Sequence, residues 1–256
     1  MFTRAIVRPP SANFADGLTS VDLGKPNFEL ALEQHEAYCR ALAACGLSLI
    51  RLEADERYPD STFVEDTAVL TARGAVITQP GAASRLGEID DVEPVLQEFF
   101  TRFYAIHEEG RLDGGDVCEA GDHFFIGISR RTNEAGAAQL AEFLDAMGYG
   151  ATLIDIRSLG NILHLKSGLA YLGGNRLVVI DELRDLESFA GYELIRLRRD
   201  EAYAANCLVI NDRVLIASGF PGFQRQLQDL GYETVALDMS EFQKMDGGLS
   251  CLSLRF

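Results

Sequence analysis

No stretch of this sequence is long and apolar enough to cross a bilayer. A spanning helix needs about 20 consecutive apolar residues, and no run approaches that. The opening residues MFTRAIVRPP also lack the extended apolar core of a secretory signal. A soluble, cytoplasmic protein is the expectation. Paired cysteines are missing too. The five, Cys39, Cys45, Cys118, Cys207 and Cys251, are odd in number and form no CxxC. That argues against a disulfide framework or a zinc ribbon, and leaves small buried apolar residues as the ordinary reading of each. The GxGxxG and Walker loops, the GxSxG elbow and the HExxH motif are all absent. Nucleotide cofactors, a serine hydrolase and a zinc hydrolase are therefore not suggested. Basic side chains are scarce: 23 against 39 acidic ones, for a net charge of −16. Such a field repels nucleic acid and anionic membrane and permits a cationic ligand, although solubility is its commoner use.

What is present fits an ordinary globular protein. Of 256 residues, 47% are hydrophobic and 24% charged, enough for a sizeable core in one large domain or two small ones. Four stretches look alike when stacked: FVEDTAVLTARGAVITQP from Phe63, LDGGDVCEAGDHFFIGIS from Leu112, LHLKSGLAYLGGNRLVVID from Leu163 and YAANCLVINDRVLIASG from Tyr203. Each begins with a polar cluster, enters a short apolar strand, turns through Gly, Asn or Asp, and enters a second strand, which is a hairpin signal. EAGAAQLAEFLDAMGY and PGFQRQLQDLGY then show helical spacing ending at Gly, followed by the strands ATLIDI and ETVALDM. The unit is strand, strand, helix, strand. One further step lands at GGLSCLSLRF, where a single strand fits, and its partner can be the opening FTRAIVRP. The expectation is a single α/β domain over residues 1–256, a propeller of five such units with the last closed by both ends of the chain. The acidic stretches Glu88–Glu93 and Asp181–Glu187 read as solvated helix faces.

Unusual residues collect at one place in the repeat, at or before each first strand: Asp60, Glu65 and Asp66; Asp113 and Asp116; His164; Asn206; and Cys251. Units ringed about an axis would bring these starts to one mouth. A thiol needs help to ionise, an imidazole can pass a proton to a leaving group, and a carboxylate can orient the imidazole. Spare carboxylates suit the planar N–H fork of a guanidinium. Taken singly, each has a plainer reading: His164 as a satisfied core histidine, the aspartates as turn residues, Cys251 as packing. The joint pattern favours the site. Asn206 has no mechanism assigned beyond a structural hydrogen bond.

At this level the chain resembles the dimethylarginine dimethylaminohydrolases of the guanidino-group-modifying, or pentein, superfamily. The likeness runs through DGLTS, PDSTFVEDTAVL, LDGGDV, RTNEAGA, LHLKSGLAYL, YAANC and KMDGGLSCLSLRF. It implies a five-bladed α/β propeller that hydrolyses Nω-methylated arginine to citrulline and a methylamine through a covalent thiouronium. It implies Cys251 as nucleophile, His164 as general acid and base, and Asp113 orienting the histidine. It also implies substrate contacts. Asp66, with Glu65 beside it, would hold the guanidine, and Asp60 and Phe63 would line the channel. Arg85 and Arg131 would clamp the carboxylate, with Arg130 next to Arg131 as the competing choice. The Met245 carbonyl and Asp246 would meet the ammonium, and Leu18 would sit at the tip of a lid. No cofactor or metal is required, and zinc at Cys251 and His164 would act as an inhibitor. The implied partner is a small cationic amino acid, and homodimerisation follows only from the family. Two alternatives stay open. Arginine and agmatine deiminases usually read H-x-D or H-x-E, where this chain has His164-Leu165-Lys166, and the arginine enzymes carry an inserted helical domain for which this length has no room. A non-catalytic propeller, as in a ribosome anti-association factor, is the other.

Overall fold

The computed structural model describes residues 1–160 and 162–256. Strand β1 (Arg4–Val7), helix α1 (Phe28–Ala44) and β2 (Ser48–Arg51) come first. The next unit is β3 (Ala68–Thr71), β4 (Gly74–Ile77), α2 (Val92–Gln97) and β5 (Phe103–Ala105). It is followed by β6 (Val117–Ala120), β7 (His123–Ile128), α3 (Glu134–Ala146) and β8 (Gly150–Asp155). Then come β9 (Leu169–Gly173), β10 (Arg176–Val179) and β11 (Glu193–Arg196), and after them β12 (Leu208–Ile210), β13 (Arg213–Ala217), α4 (Pro221–Asp229) and β14 (Glu233–Leu237). Helix α5 (Ser240–Gln243) leads to β15 (Leu254–Arg255).

Among the described residues, fifteen strands form five sheets of three, ordered β3-β4-β5, β6-β7-β8, β9-β10-β11, β12-β13-β14 and β15-β1-β2. All five share one topology: the first strand runs antiparallel to the middle one and the third parallel to it. The fifth sheet joins chain start to chain end, with Ala5 opposite Arg255 and Ile6 opposite Leu254. Middle strands are buried on both faces, so they read as continuous apolar runs: AIV in β1, AVI in β4, FFI in β7, LVV in β10, VLI in β13. The hairpin turns into β10 and β13 place Asn175 and Asn211 at φ 66° and 55°, a region asparagine tolerates.

Helix α1 covers its sheet with a stripe at three- and four-residue spacing, Ala31, Gln34, His35, Tyr38, Cys39 and Leu42. Each large apolar side chain so buried contributes about 1.5–3 kcal/mol. Its start is capped by Asn27, whose side chain accepts the Leu30 N–H, and Asn133 caps α3 in the same way. No helix among the described residues is long and apolar enough to cross a membrane.

Two expectations need correction. Between β10 and β11 there is no α-helix; the acidic stretch folds as two 3₁₀ turns, Asp181–Leu183 and Glu187–Phe189, pinned by buried Leu183 and Phe189. Glu88 does not face solvent. It is buried against Arg85, in the 3₁₀ turn Ala83–Ile89.

All five first strands line a common cavity of about 720 Å³, Leu70, Glu119, Tyr171, Val209 and Arg255 among their residues. Asp66, Asp113, His164 and Cys251 are not among the residues that line it.

Candidate active site

A 3₁₀ turn precedes every first strand: Val64–Thr67, Gly114–Asp116, Leu165–Ser167, Arg199–Ala205 and Ser250–Leu252. The polar residues singled out by the repeat sit on or beside these turns. Asp66 and Cys251 lie within theirs, Asp113 and His164 are the residues just before theirs, and Asn206 just follows its own. The turns pack against one another: the Asp66 turn against those of Cys251 and Asp113, and the His164 turn against those of Asp113 and Asn206.

His164 and Asp113 form the centre. His164 Nε2 lies 3.0 Å from Asp113 Oδ2, and both are buried. The Gly81 N–H donates to Asp113 Oδ1 at 2.7 Å, and the Gly115 N–H to Asp66 Oδ1 at 2.8 Å. The imidazole packs closely against Gly115. A Cβ there would stand 2.6 Å from His164 Nδ1, so no larger residue fits. Burial opposes charge on His164, but the carboxylates of Asp66, Asp116 and Asp113 outweigh it and raise the imidazole to about 9. Burial likewise opposes charge on Asp113, but the His164 hydrogen bond and charge, with Arg85 behind, hold it low, near 2. Near neutral pH the pair is carboxylate and imidazolium.

Cys251 is the one cysteine that is not fully buried. Burial pushes its thiol up to about 12, and the negative charges of Glu65 and Asp66 push the same way. Its turn is fixed from outside. Asn206 Oδ1 accepts the Ser250 N–H at 2.9 Å, while Nδ2 donates to Ser250 Oγ and to the Lys166 carbonyl. This is the structural role of Asn206, and it explains the second glycine ahead of the thiol: a Cβ on Gly248 would lie 2.5 Å from Asn206 Oδ1. Arg255 Nη1 donates to the Ser250 and Ser253 carbonyls.

Glu65 does not stand with Asp66. Adjacent residues of a 3₁₀ turn diverge by about 120°, and Glu65 points the other way. It accepts from Ser250 Oγ at 2.7 Å and Arg255 Nη2 at 2.9 Å, and Lys166 Nζ lies 2.7 Å away. Glu65, Lys166, Ser250 and Arg255 all line the 720 Å³ cavity.

Arg85 also departs from the role the likeness implies. It is buried, with Nη1 on Asp66 at 2.6 Å, Nε and Nη2 on Glu88, and Nη2 on the Phe63 carbonyl. Its charge is spent inside the wall, where it fixes Asp66, so in this structure it offers no free clamp. Burial lifts Glu88 to about 7 even with that arginine present. Removing the cation from between two buried carboxylates costs about 3–5 kcal/mol. Arg85→Met is therefore expected to lower the urea-unfolding free energy by that amount, and a loss below about 1 kcal/mol would contradict this placement.

Arg131 is placed differently. Its Nη1 is buried with no hydrogen-bond partner among the described residues, while Arg130 is exposed. Arg131 acts on Asp60, whose carboxyl is raised chiefly by burial. Asp60 accepts the Leu18 N–H at 3.0 and 3.2 Å; the Ser20 N–H donates to Asp246, and Thr19 Oγ1 to the Lys244 carbonyl at 3.0 Å. The 41% exposed Leu18 thus tips a segment latched to two of the predicted substrate-contacting acids. Phe63 is buried among Phe14 and Phe242, and Met245 is buried nearby. Asp246 holds a left-handed φ of 57°.

Ligand atoms of Asp66, Asp113 and His164 lie within 4.8 Å of one another, a spacing a metal ion could use. Their donors are already engaged by Arg85, Gly115 and Gly81. Among the described residues no such group of three includes Cys251. Sequence reasoning missed Ser250 and Arg255, and read Lys166 only as standing where a deiminase has a carboxylate. The one available signal was a basic residue inside the last, otherwise apolar strand.

A family profile described as "N,N dimethylarginine dimethylhydrolase, eukaryotic" matches residues 24–251. The chain is 44% identical to an N(G),N(G)-dimethylarginine dimethylaminohydrolase of Pseudomonas aeruginosa over the whole of both chains. It is 36% identical to one of Streptomyces coelicolor, covering 98% of this chain and 96% of that one. A Pseudomonas aeruginosa structure, a cysteine-to-serine variant complexed with citrulline, superposes with a TM-score of 0.97 at 43% identity over all of both chains. The N-terminal domain of the cyanobacterial arginine dihydrolase ArgZ superposes at 0.86 over 100% of this chain and 97% of that one, with 18% identity, a likeness of fold alone.

Proposed function

The chain belongs to the dimethylarginine dimethylaminohydrolase family, and from that premise we propose how its residues divide the work. The reaction is hydrolysis of methylated arginine to citrulline, on an α/β pentein fold. The five sheets are read as blades of one propeller domain over residues 1–256, with the catalytic turns around its axis.

The substrate guanidinium lies against Asp66, which Arg85 and the Gly115 N–H hold in place. Its α-carboxylate takes the empty buried Nη1 of Arg131, and its ammonium takes Asp60 or Asp246 as the lid segment yields. The incoming cation offsets the acids that keep Cys251 protonated, and the thiol proton leaves to solvent. The thiolate adds to the guanidinium carbon, forming a C–S bond. The C–N bond to the methylated nitrogen breaks, and His164 gives its proton to the departing amine. Water then adds to the same carbon and gives a proton to His164. The C–S bond breaks, the hydroxyl proton passes to the departing sulfur to restore the thiol, and citrulline is released. Asp113 holds the imidazole's orientation and favours its cation.

The observation that carries this reading is the buried Asp113–His164 pair at 3.0 Å, one turn from Asp66 and packed through it to the Cys251 turn. Lys166 favours methylated arginine over arginine: where a deiminase has a second carboxylate, this side chain is spent on Glu65. One guanidine edge is left without an acceptor, which suits a methylated nitrogen with fewer hydrogens to donate. Citrulline release is expected with kcat/KM for mono- or dimethylated arginine at least tenfold above that for arginine or agmatine. Equal or reversed values would move the assignment to a deiminase.

A further inference from the structure

Asp116 is a fully buried carboxylate that the reaction above does not use. Its Oδ1 accepts the Leu165 N–H at 2.9 Å. Its Oδ2 accepts Ser129 Oγ at 2.6 Å and Thr132 Oγ1 at 2.7 Å. These contacts run to both halves of the site. Leu165 follows His164 directly, so Asp116 clips the peptide that carries the imidazole. Ser129 Oγ in turn accepts the N–H groups of Arg131 and Thr132, and Thr132 Oγ1 accepts the Asp113 N–H at 3.1 Å. One carboxylate thereby joins the histidine turn, the aspartate that orients it and the turn of the free arginine. Among the described residues no Lys or Arg pairs with it, and burial lifts its pKa to about 6. An ionised group so placed is costly unless its donors are fixed. Asp66 from the first turn and Asp113 and Asp116 from the second face the imidazole, with Arg85 behind Asp66 and Asp113.

We propose that Asp116 is a positioning residue for His164, holding the Leu165 peptide so that the imidazole keeps its place over Gly115 through both proton transfers. The proposal rests on the hydrolase reading. Its signature is selective. Steps that need His164 suffer, while attack by Cys251 does not. An amine leaves only with a proton, whereas a methanethiolate leaves with little help. S-methyl-L-thiocitrulline, seen as an adduct in a histidine-to-glycine variant of a relative, supplies that contrast.

The test measures Asp116→Asn and Ser129→Ala against wild type, with melting curves to establish folding. Steady-state turnover of monomethylarginine, rates of adduct formation with both compounds, and intact mass are read together. For Asp116→Asn, kcat is expected to fall about tenfold or more with KM within about threefold. Adduct formation should slow more for methylarginine than for S-methyl-L-thiocitrulline, and the thiouronium adduct should build up in turnover. Ser129→Ala keeps the charge and is expected to show the same pattern more weakly, so the question stays answerable if Asp116→Asn does not fold. Equal slowing of both compounds, or unchanged kcat without adduct, would overturn the proposal and leave Asp116 a packing residue. Wild-type protein inactive on methylarginine would instead overturn the hydrolase reading beneath it.

Discussion

Cys251→Ser is expected to abolish citrulline formation, by at least about 10⁴-fold in kcat, while Cys118→Ser and Cys207→Ser keep activity within about tenfold. Chemistry and placement both argue for this. A serine hydroxyl is a far weaker nucleophile than a thiol unless a base takes its proton, and His164 at rest already carries one. Cys118 and Cys207 are buried, and burial holds both thiols near 12. Neither sits on a 3₁₀ turn with the acids; both follow theirs, on the cavity side. The loss should come with retained substrate binding, because Asp66, Asp60 and Arg131 are untouched. A methylarginine titration by calorimetry checks this. Residual turnover in Cys251→Ser above about 1% of wild type would remove the thiol from the mechanism.

The reach of sequence reasoning shows at particular residues. The period was legible because a hairpin followed by a third strand forces the same order of apolar runs and turns each time. The site was legible because Asp66, Asp113, His164 and Cys251 interrupt that pattern at one phase, and one phase means one place in the fold. The direction of each side chain was not. Glu65 and Asp66 are neighbours in the chain, yet they face opposite compartments because a 3₁₀ turn rotates each residue by about a third of a circle. Arg85 and Glu88 are three apart in an acidic stretch, a spacing equally at home on a solvated face. Only the packing of the Asp66 turn against the 3₁₀ turn Ala83–Ile89 shows them buried as a pair. The missing helix before β11 has a similar cause: Leu183, Phe189 and the partly buried Leu186 reach the core from separate tight turns, which no 3.6-residue period reports.

The resting protonation states predict how the free thiol responds to pH. His164 gives up its proton near 9, and Cys251 only near 12, so near neutral pH the thiol is neutral and the imidazole is charged. The sign follows from the acids. Glu65 and Asp66 oppose a third negative charge, as does burial. Alkylation of Cys251 by iodoacetamide, located by peptide mass, should therefore climb about tenfold per pH unit from 7 to 10, roughly 10³-fold in all, without a plateau. Glu65→Gln removes one opposing charge and should speed alkylation at every pH on that slope. Asp113→Asn should not give that uniform gain, because Asp113 is not among the charges that bear most on the thiol. A plateau between pH 6 and 8 would mean that a thiolate exists before substrate arrives. The cation's role in ionising the nucleophile would then fall, and with it the reason for surrounding a thiol by carboxylates.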